Sequence, residues 1–286
     1  MVKKSLKYTD LFCGLGSFHF SMQNSCRASA GAVGAECILA SDINEYVKNT
    51  YYMNYNIKPH GDIRRLRPPH ADIVFAGFPC QSFSRAGNQL GLQDEEQGGL
   101  FKYIIPFFSK KLPKQPSFVI LENVTAVIKH DNGNTFKYIL SSLEKQGYNI
   151  KYFKIRCSDH GIPQMRKRLF IVAIHSRHPI SWFDHFDKRI ANPASKTPTL
   201  TKFLKKSLPT GHTFEKTVSY SIRCSAHGSE IEPVHSKSHN WDGYYVNTPA
   251  LNRAYEYRLS EKDCKKLQGF PPTFVIDGSK VHRSKQ

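Results

Sequence analysis

Cys80 stands in Gly77-Phe78-Pro79-Cys80-Gln81-Ser82, just beyond a β-rich run and a rigid proline. A thiol is the nucleophile that needs least help, because a few per cent is already thiolate at neutral pH. No histidine lies nearby in sequence to act as its base. The polar loop that follows, 81–99, carries Gly87, Gly91, Gly98 and Gly99. Glycine-bearing loops beside a reactive group commonly close over it. Glu122 directly follows the apolar run Phe118–Leu121, where partial loss of water suits a group that keeps and hands over a proton. A helix cap or an ion pair is its plainer role. Gly14 and Gly16 allow a tight turn and close approach of a ligand to the backbone, and Asp42 is placed to accept from ribose hydroxyls. A lone Gly-x-Gly also suits any strand–helix turn. The third glycine of the dinucleotide pattern is missing, which points from a nicotinamide cofactor to a smaller nucleoside ligand. Arg166 and Arg168 sit two apart in Gln164-Met165-Arg166-Lys167-Arg168, and strand alternation puts both on one face.

Strands must deliver these groups to one place. β-rich runs are expected at Leu6–Phe12, Glu36–Ala40, Asp72–Ala76, Phe118–Leu121, Asn149–Ile155 and Leu169–Ile174. Helices are expected at Ser17–Ser25, Asn44–Asn54, Leu100–Lys110 and Thr135–Lys145, the last with Phe136, Ile139, Leu140 and Leu143 on one face. Strand–helix alternation predicts an α/β fold whose mostly parallel sheet is covered on both faces. Ligands in such sheets bind beyond the carboxyl ends of the strands. Those ends are where the glycines, Asp42, Cys80 and Glu122 fall. From about His178 to Tyr257 periodicity fades and Ser, Thr, Pro and Gly increase, which predicts a smaller, irregular module. A capping box at Ser260 and Asp263 then starts a helix that stops at Gly269, before Pro271 and Pro272.

The bulk composition narrows the partners. Forty-one Lys and Arg against 23 Asp and Glu give a net charge of +18 spread along 286 residues, which suits a folded surface for a polyanion. Charge alone does not separate DNA from RNA or an anionic membrane. No apolar run reaches membrane-spanning length, and the basic N-terminus lacks a signal-peptide apolar stretch. Seven cysteines without close pairs read as reduced thiols in an intracellular, cytoplasmic protein. His235 and His239 have no cysteine partners nearby, so no metal site is expected.

The ordered motifs resemble those of the cytosine-C5 DNA methyltransferase family, in its bacterial and phage form. Asp10-Leu11-Phe12-Cys13-Gly14-Leu15-Gly16 is similar to its cofactor loop, and Gly77-Phe78-Pro79-Cys80-Gln81-Ser82-Phe83-Ser84 to its nucleophile loop. Glu122-Asn123-Val124, Gln164-x-Arg166-x-Arg168, and Arg258-Leu259-Ser260 through Leu267-Gln268-Gly269-Phe270-Pro271 match three further motifs.

The resemblance implies a Rossmann-like S-adenosylmethionine-dependent methyltransferase sheet flanked by helices, with a smaller target-recognition domain. It implies a catalytic domain at 1–177, target recognition at 178–257 and a return segment at 258–286. Cys80 would add to carbon 6 of a flipped-out cytosine, Glu122 would serve ring nitrogen 3, and Arg166 and Arg168 would orient the ring and a phosphate. Phe12, Gly14, Leu15, Gly16, Asp42, Ile43, Asp62, Ile63, Pro79 and Leu100 would line the S-adenosylmethionine pocket. Gln81, Ser82, Ser84 and Arg85 would meet double-stranded DNA, with Lys202, Lys205 and Lys206 on phosphates. The protein would act as a monomer on nucleoid DNA beside a restriction system. The family's closing motif, Gly-Asn-Ser/Ala-Val, has no match before Gln286, so a second chain or a longer one is expected to supply it. Two other readings stand beside this one. A related tRNA branch carries a Cys-Phe-Thr signature absent here, and a non-catalytic DNA-binding subunit would bind without forming product.

Overall fold

Runs of β-branched and aromatic residues form the strands of a six-stranded sheet, ordered β2-β1-β3-β4-β6-β5. These strands are β1 (Ser5–Leu11), β2 (Gly34–Ser41), β3 (Ile73–Ala76), β4 (Phe118–Val124), β5 (Tyr148–Arg156) and β6 (Lys167–His175). The computed structural model describes residues 5–29, 33–79, 98–191, 196–208, 210–214, 217–219, 221, 244–247, 254–257 and 259–276. β1 pairs in parallel with β2 and β3, and β3 in parallel with β4, whereas β6 runs antiparallel to β4.

Both faces of the sheet are covered, and β3 shows why its sequence is apolar throughout. Val74 and Ala76 join a core with Val119, Leu121, Leu169 and Ile171. Ile73 and Phe75 point the other way, into a cluster with Tyr8 and the partly buried Phe18 and Met22 of α1 (Ser17–Ala28). A strand buried on two faces cannot alternate apolar with polar residues. α2 (Glu45–Tyr55) starts at Asn44, whose side chain accepts from the backbone of Tyr46 and Val47. α3 (Asn134–Lys145) buries Phe136, Ile139 and Leu143 at gaps of three and four, as its sequence pattern requires.

The helix expected at Leu100–Lys110 does not form. Two 3-10 turns, Gly98–Tyr103 and Ile105–Phe108, occupy the segment. Pro106 lacks a backbone N–H and its ring would strike the carbonyl four residues earlier, so an α-helix cannot cross it. The apolar side chains still reach the core, with Phe101, Ile104, Phe107 and Phe108 buried.

The chain divides into two compact units, one of Met1–Lys154 with Arg168–Asp187 and Gln286, the other of Ile155–Lys167 with Lys188–Lys285. α4 (Phe183–Ala191) crosses the division. The second unit contains α5 (Leu200–Phe203) and an antiparallel sheet of β7 (Thr213–Phe214), β8 (Tyr244–Asn247) and β9 (Ala254–Tyr257). It also holds α6 (Glu261–Leu267), and its core is Leu200, Leu204, Phe214 and Leu267. α6 begins with the expected box: Ser260 accepts from the Asp263 backbone and the Asp263 carboxylate accepts from the Ser260 backbone. Gly269, at φ 84°, ends it. The Ser207 hydroxyl also donates to Asp263, which is 1% exposed. Asp263→Ala removes the carboxylate half of the box and the acceptor of the Ser207 hydroxyl, so chemical denaturation should show a loss of about 2 kcal/mol.

Candidate active site

The parallel register sets the geometry of the site. Leu11 lies beside Ser41 on one side and Ala76 on the other, and Ala76 lies beside Leu121. The next residue in each chain is Phe12, Asp42, Gly77 and Glu122. Phe12, Asp42 and Gly77 therefore leave the sheet at one level, beside Glu122, which is still within β4 and paired with β6. Backbone hydrogen bonds continue past the row, with Cys13 N donating to Ser41 O at 2.9 Å and Gly77 N to Leu11 O at 3.2 Å. His60 bridges to Ser41, which brings the 60–63 segment to the end of β2.

At the β1–β2 half the backbone is unusual. Phe12, Gly14 and Gly16 have φ of 53°, 52° and 81°. The two glycines do different work. A Cβ on Gly14 would meet nothing within 4 Å, whereas a Cβ on Gly16 would overlap the Tyr55 ring and stand 2.9 Å from Tyr51. Gly14 thus leaves room for a ligand, and Gly16 leaves room for α2. The Asp42 carboxylate accepts from Gly14 N at 3.1 Å and Asn44 N at 2.9 Å. Burial raises its pKa, and the surrounding backbone N–H groups draw it back down. Ile43 beside it is 75% exposed, a large apolar surface that a flat base would cover. Carboxylate, open glycine and exposed isoleucine together fit the ribose and adenine of an adenosyl group.

The other expected pocket residues vary. Phe12 and Pro79 are half-buried, while Ile63 and Leu100 are buried. The Asp62 carboxylate accepts from Arg64 N at 2.9 Å and pairs with the Arg64 guanidinium, which lowers its pKa. It caps the short turn Ile63–Arg65.

At the β3–β4 half, Glu122 Oε1 pairs with Arg168 Nε at 2.8 Å. The antiparallel register explains the contact. Val124 lies opposite Arg168, so Glu122 is its diagonal neighbour on the same face. A Cβ on Gly77 would stand 3.6 Å from Glu122 Oε2, so the chain leaving β3 passes against the carboxylate. Buried Asn123 donates to Phe78 O at 3.4 Å, a second tie between β4 and the same segment. Cys80 follows Pro79 immediately but, with Gln81, Ser82, Ser84 and Arg85, lies outside the described residues, as do Arg258, His235 and His239. Arg166 lies one residue before β6, which starts at Lys167, and like Arg168 it is half-buried while Met165 and Lys167 are exposed. It belongs to the second unit, where its carbonyl accepts from Cys157 N at 2.9 Å.

Three of the described thiols, Cys13, Cys37 and Cys264, have different surroundings from a nucleophile. Burial pushes Cys13 up, pushes Cys37 up to about 12 and Cys264 up to about 11, so they stay protonated. Sequence reasoning passed over His19, Tyr51 and Tyr55, which back the 12–16 loop. Tyr51 and Tyr55, four apart after Val47, read as an ordinary core face. Burial lowers the His19 pKa to about 4.

Gly16→Ala should lower the melting temperature markedly, because the new methyl group overlaps α2 where φ is already positive. Gly14→Ala carries the strain of its own positive φ but no overlap, so it should cost less stability and also weaken binding of an adenosyl ligand, read by calorimetric titration. His19 has a folded pKa below its ordinary 6.5, so its neutral form stabilises the fold above pH 6.5. That contribution is lost as pH falls from 6.5 towards 4. Melting curves of His19→Gln should therefore fall less steeply than the wild type across this interval.

The chain matches the family model for C-5 cytosine-specific DNA methylase over residues 6–241. It is 30% identical to the type II methyltransferase M.BsuFI of Bacillus subtilis, across 98% of this chain and 68% of that protein. It is also 30% identical to the type II methyltransferase M.HhaI of Haemophilus parahaemolyticus, across 98% of this chain and 89% of that one. Among solved structures, the Entamoeba histolytica methyltransferase EhMeth superposes with a TM-score of 0.56 at 20% identity, over 98% of this chain and 92% of that chain. Dnmt2 methyltransferase of S. pombe gives 0.51 at 17% identity, over 69% of this chain and 58% of that chain. The two superpositions show a shared fold, while the family match and the sequence identities show descent. The chain belongs to the C-5 cytosine-specific DNA methylase family, methyltransferases whose donor is S-adenosylmethionine.

Proposed function

We propose that this chain methylates carbon 5 of cytosine at a specific site in duplex DNA, through a transient bond between Cys80 and carbon 6 of a base turned out of the helix. One observation carries the reading. Glu122 lies against Gly77, three residues before Cys80, at the edge where Gly14 and Asp42 also emerge. The two halves of that edge adjoin, since Gly77 N donates to Leu11 O. Methyl transfer needs donor and acceptor pockets side by side, and neighbouring strands about 5 Å apart supply that spacing.

S-adenosylmethionine, when bound, supplies an electrophilic methyl group on a sulfonium sulfur. Carbon 5 of cytosine is too weak a nucleophile to take it unaided. The Cys80 thiolate adds to carbon 6, and electron density moves to carbon 5. Glu122 holds a proton at ring nitrogen 3 and so stabilises the charge that builds as sulfur bonds. Arg168 orients Glu122. After transfer, carbon 5 loses its proton, the ring double bond re-forms, and Cys80 leaves as thiolate. The target base is rotated out because its carbon 6 is inaccessible within the stack. The glycine-bearing loop after Cys80 closes behind it.

The net charge of +18 supports a polyanionic partner, which we take to be DNA; by family likeness alone we take the chain to bind it as a monomer, at the nucleoid. We assign target recognition to 178–257 and the return segment to 258–286, with Lys202, Lys205 and Lys206 on phosphates and Arg166 on the flipped nucleotide. Among the described residues no helix is long and apolar enough to cross a membrane.

Duplex DNA carrying 5-fluorocytosine tests the covalent step, because fluorine at carbon 5 blocks the final elimination. The wild type with S-adenosylmethionine should form an adduct that survives denaturing electrophoresis, and Cys80→Ala should form none. Glu122→Gln should lower the methylation rate by about a hundredfold or more. An adduct with Cys80→Ala would sink the assignment.

A further inference from the structure

Behind the 12–16 loop runs a buried polar chain that the chemistry above leaves unused. Gln23 Nε2 can only donate, so His19 Nε2, 3.0 Å away, accepts. This assigns the proton to His19 Nδ1, which donates to the Tyr51 hydroxyl at 2.8 Å. Tyr51 in turn donates to Asp10 Oδ2 at 3.4 Å, and Asp10 is fully buried at the end of β1. Every link thus has one donor and one acceptor, and the chain ties α1, α2 and β1 together.

Tyr55 joins this chain to the loop. Its ring stacks on His19 at 4.1 Å between centroids and meets Tyr51 edge-on at 4.7 Å. Its hydroxyl donates to the carbonyls of Gly16 at 3.0 Å and Leu15 at 3.2 Å. One phenol therefore orients two successive peptides, and planarity fixes their N–H groups with them. The Tyr55 ring is also what a Cβ on Gly16 would strike. Gly14, whose Cβ position opens to space, sits just upstream of the two held carbonyls.

We propose that Tyr55, backed by the Gln23–His19–Tyr51–Asp10 chain, is a positioning residue for the methyl donor, holding the shape of the 12–16 loop from behind. The inference rests on the donor-site reading above. It predicts that the hydroxyl of residue 55 governs donor affinity although α2 stands behind the loop.

Tyr55→Phe keeps the ring and its stacking and deletes only the hydroxyl. Full-length protein is titrated calorimetrically with S-adenosylmethionine and with S-adenosylhomocysteine, which cannot turn over. Loss of the hydrogen bond should weaken both about five- to tenfold. KM for the donor should rise in step while kcat and duplex DNA affinity stay within about twofold of the wild type. Tyr52→Phe, on the same helix but 51% exposed, should bind as the wild type does. A Tyr55→Phe protein with a lowered melting temperature but unchanged donor affinity would overturn the proposal, leaving Tyr55 a packing residue. Should that variant fail to fold, Tyr51→Phe breaks the link to Asp10 and must weaken the donor likewise; unchanged affinity there is equally fatal. Failure of the wild type to bind either ligand would instead remove the donor site itself.

Discussion

A single row of strand residues governs this molecule. Leu11, Ser41, Ala76 and Leu121 lie abreast in parallel register, so three chain exits emerge level with one another and with Glu122 of β4. Parallel pairing makes this possible, because every strand then ends on the same edge. The chain builds β1 and β2 on one side and returns to place β3 on the other, which opens a crevice between β1 and β3. Glycine loop and Asp42 stand on one side of that crevice, and the Gly77–Pro79 segment and Glu122 on the other. A slip of one residue in any pair would send its side chains to the opposite face of the sheet.

β6 breaks the parallel pattern, and the break has a purpose in the geometry. Because it enters antiparallel, its first residues rather than its last lie at the functional edge. Arg168 therefore arrives beside Glu122 from a remote stretch of sequence. With both side chains only partly exposed, the pair holds a carboxylate in one orientation beside the backbone of Gly77. Asn123, alternate to Glu122 along β4, anchors the same segment from the buried side through Phe78. One strand thus grips the approach to Cys80 with two consecutive side chains.

Much of this was legible in the sequence because local rules and tertiary demands agree. The Ser260–Asp263 box, the Gly269 stop and the Phe136–Ile139–Leu143 stripe are each decided within a few residues. The six strands were legible because apolar runs bounded by Gly, Pro and Asp have few other uses. Disagreements arose where a distant or single residue rules. Pro106 turns an apparent helix into two tight turns without moving its apolar side chains from the core. The buried hydrogen-bond chain left no readable trace, because tyrosine and histidine on a helix face resemble packing until their polar atoms are located.

The unlike surroundings of Gly14 and Gly16 carry a consequence for how such a loop could change over generations. Position 14 opens to space, so on the proposed donor site any side chain there would compete directly with the ligand. Position 16 answers to residue 55, another part of the same polypeptide. Substitutions at 16 and 55 are therefore bound to one another: the overlap at 16 is relieved only after 55 has shrunk, the positive φ and the Tyr51 ring still oppose any side chain there, and the shrunken partner gives up its grip on the loop. That corner of the protein can drift only in matched steps, while position 14 has no internal partner whose alteration could release it.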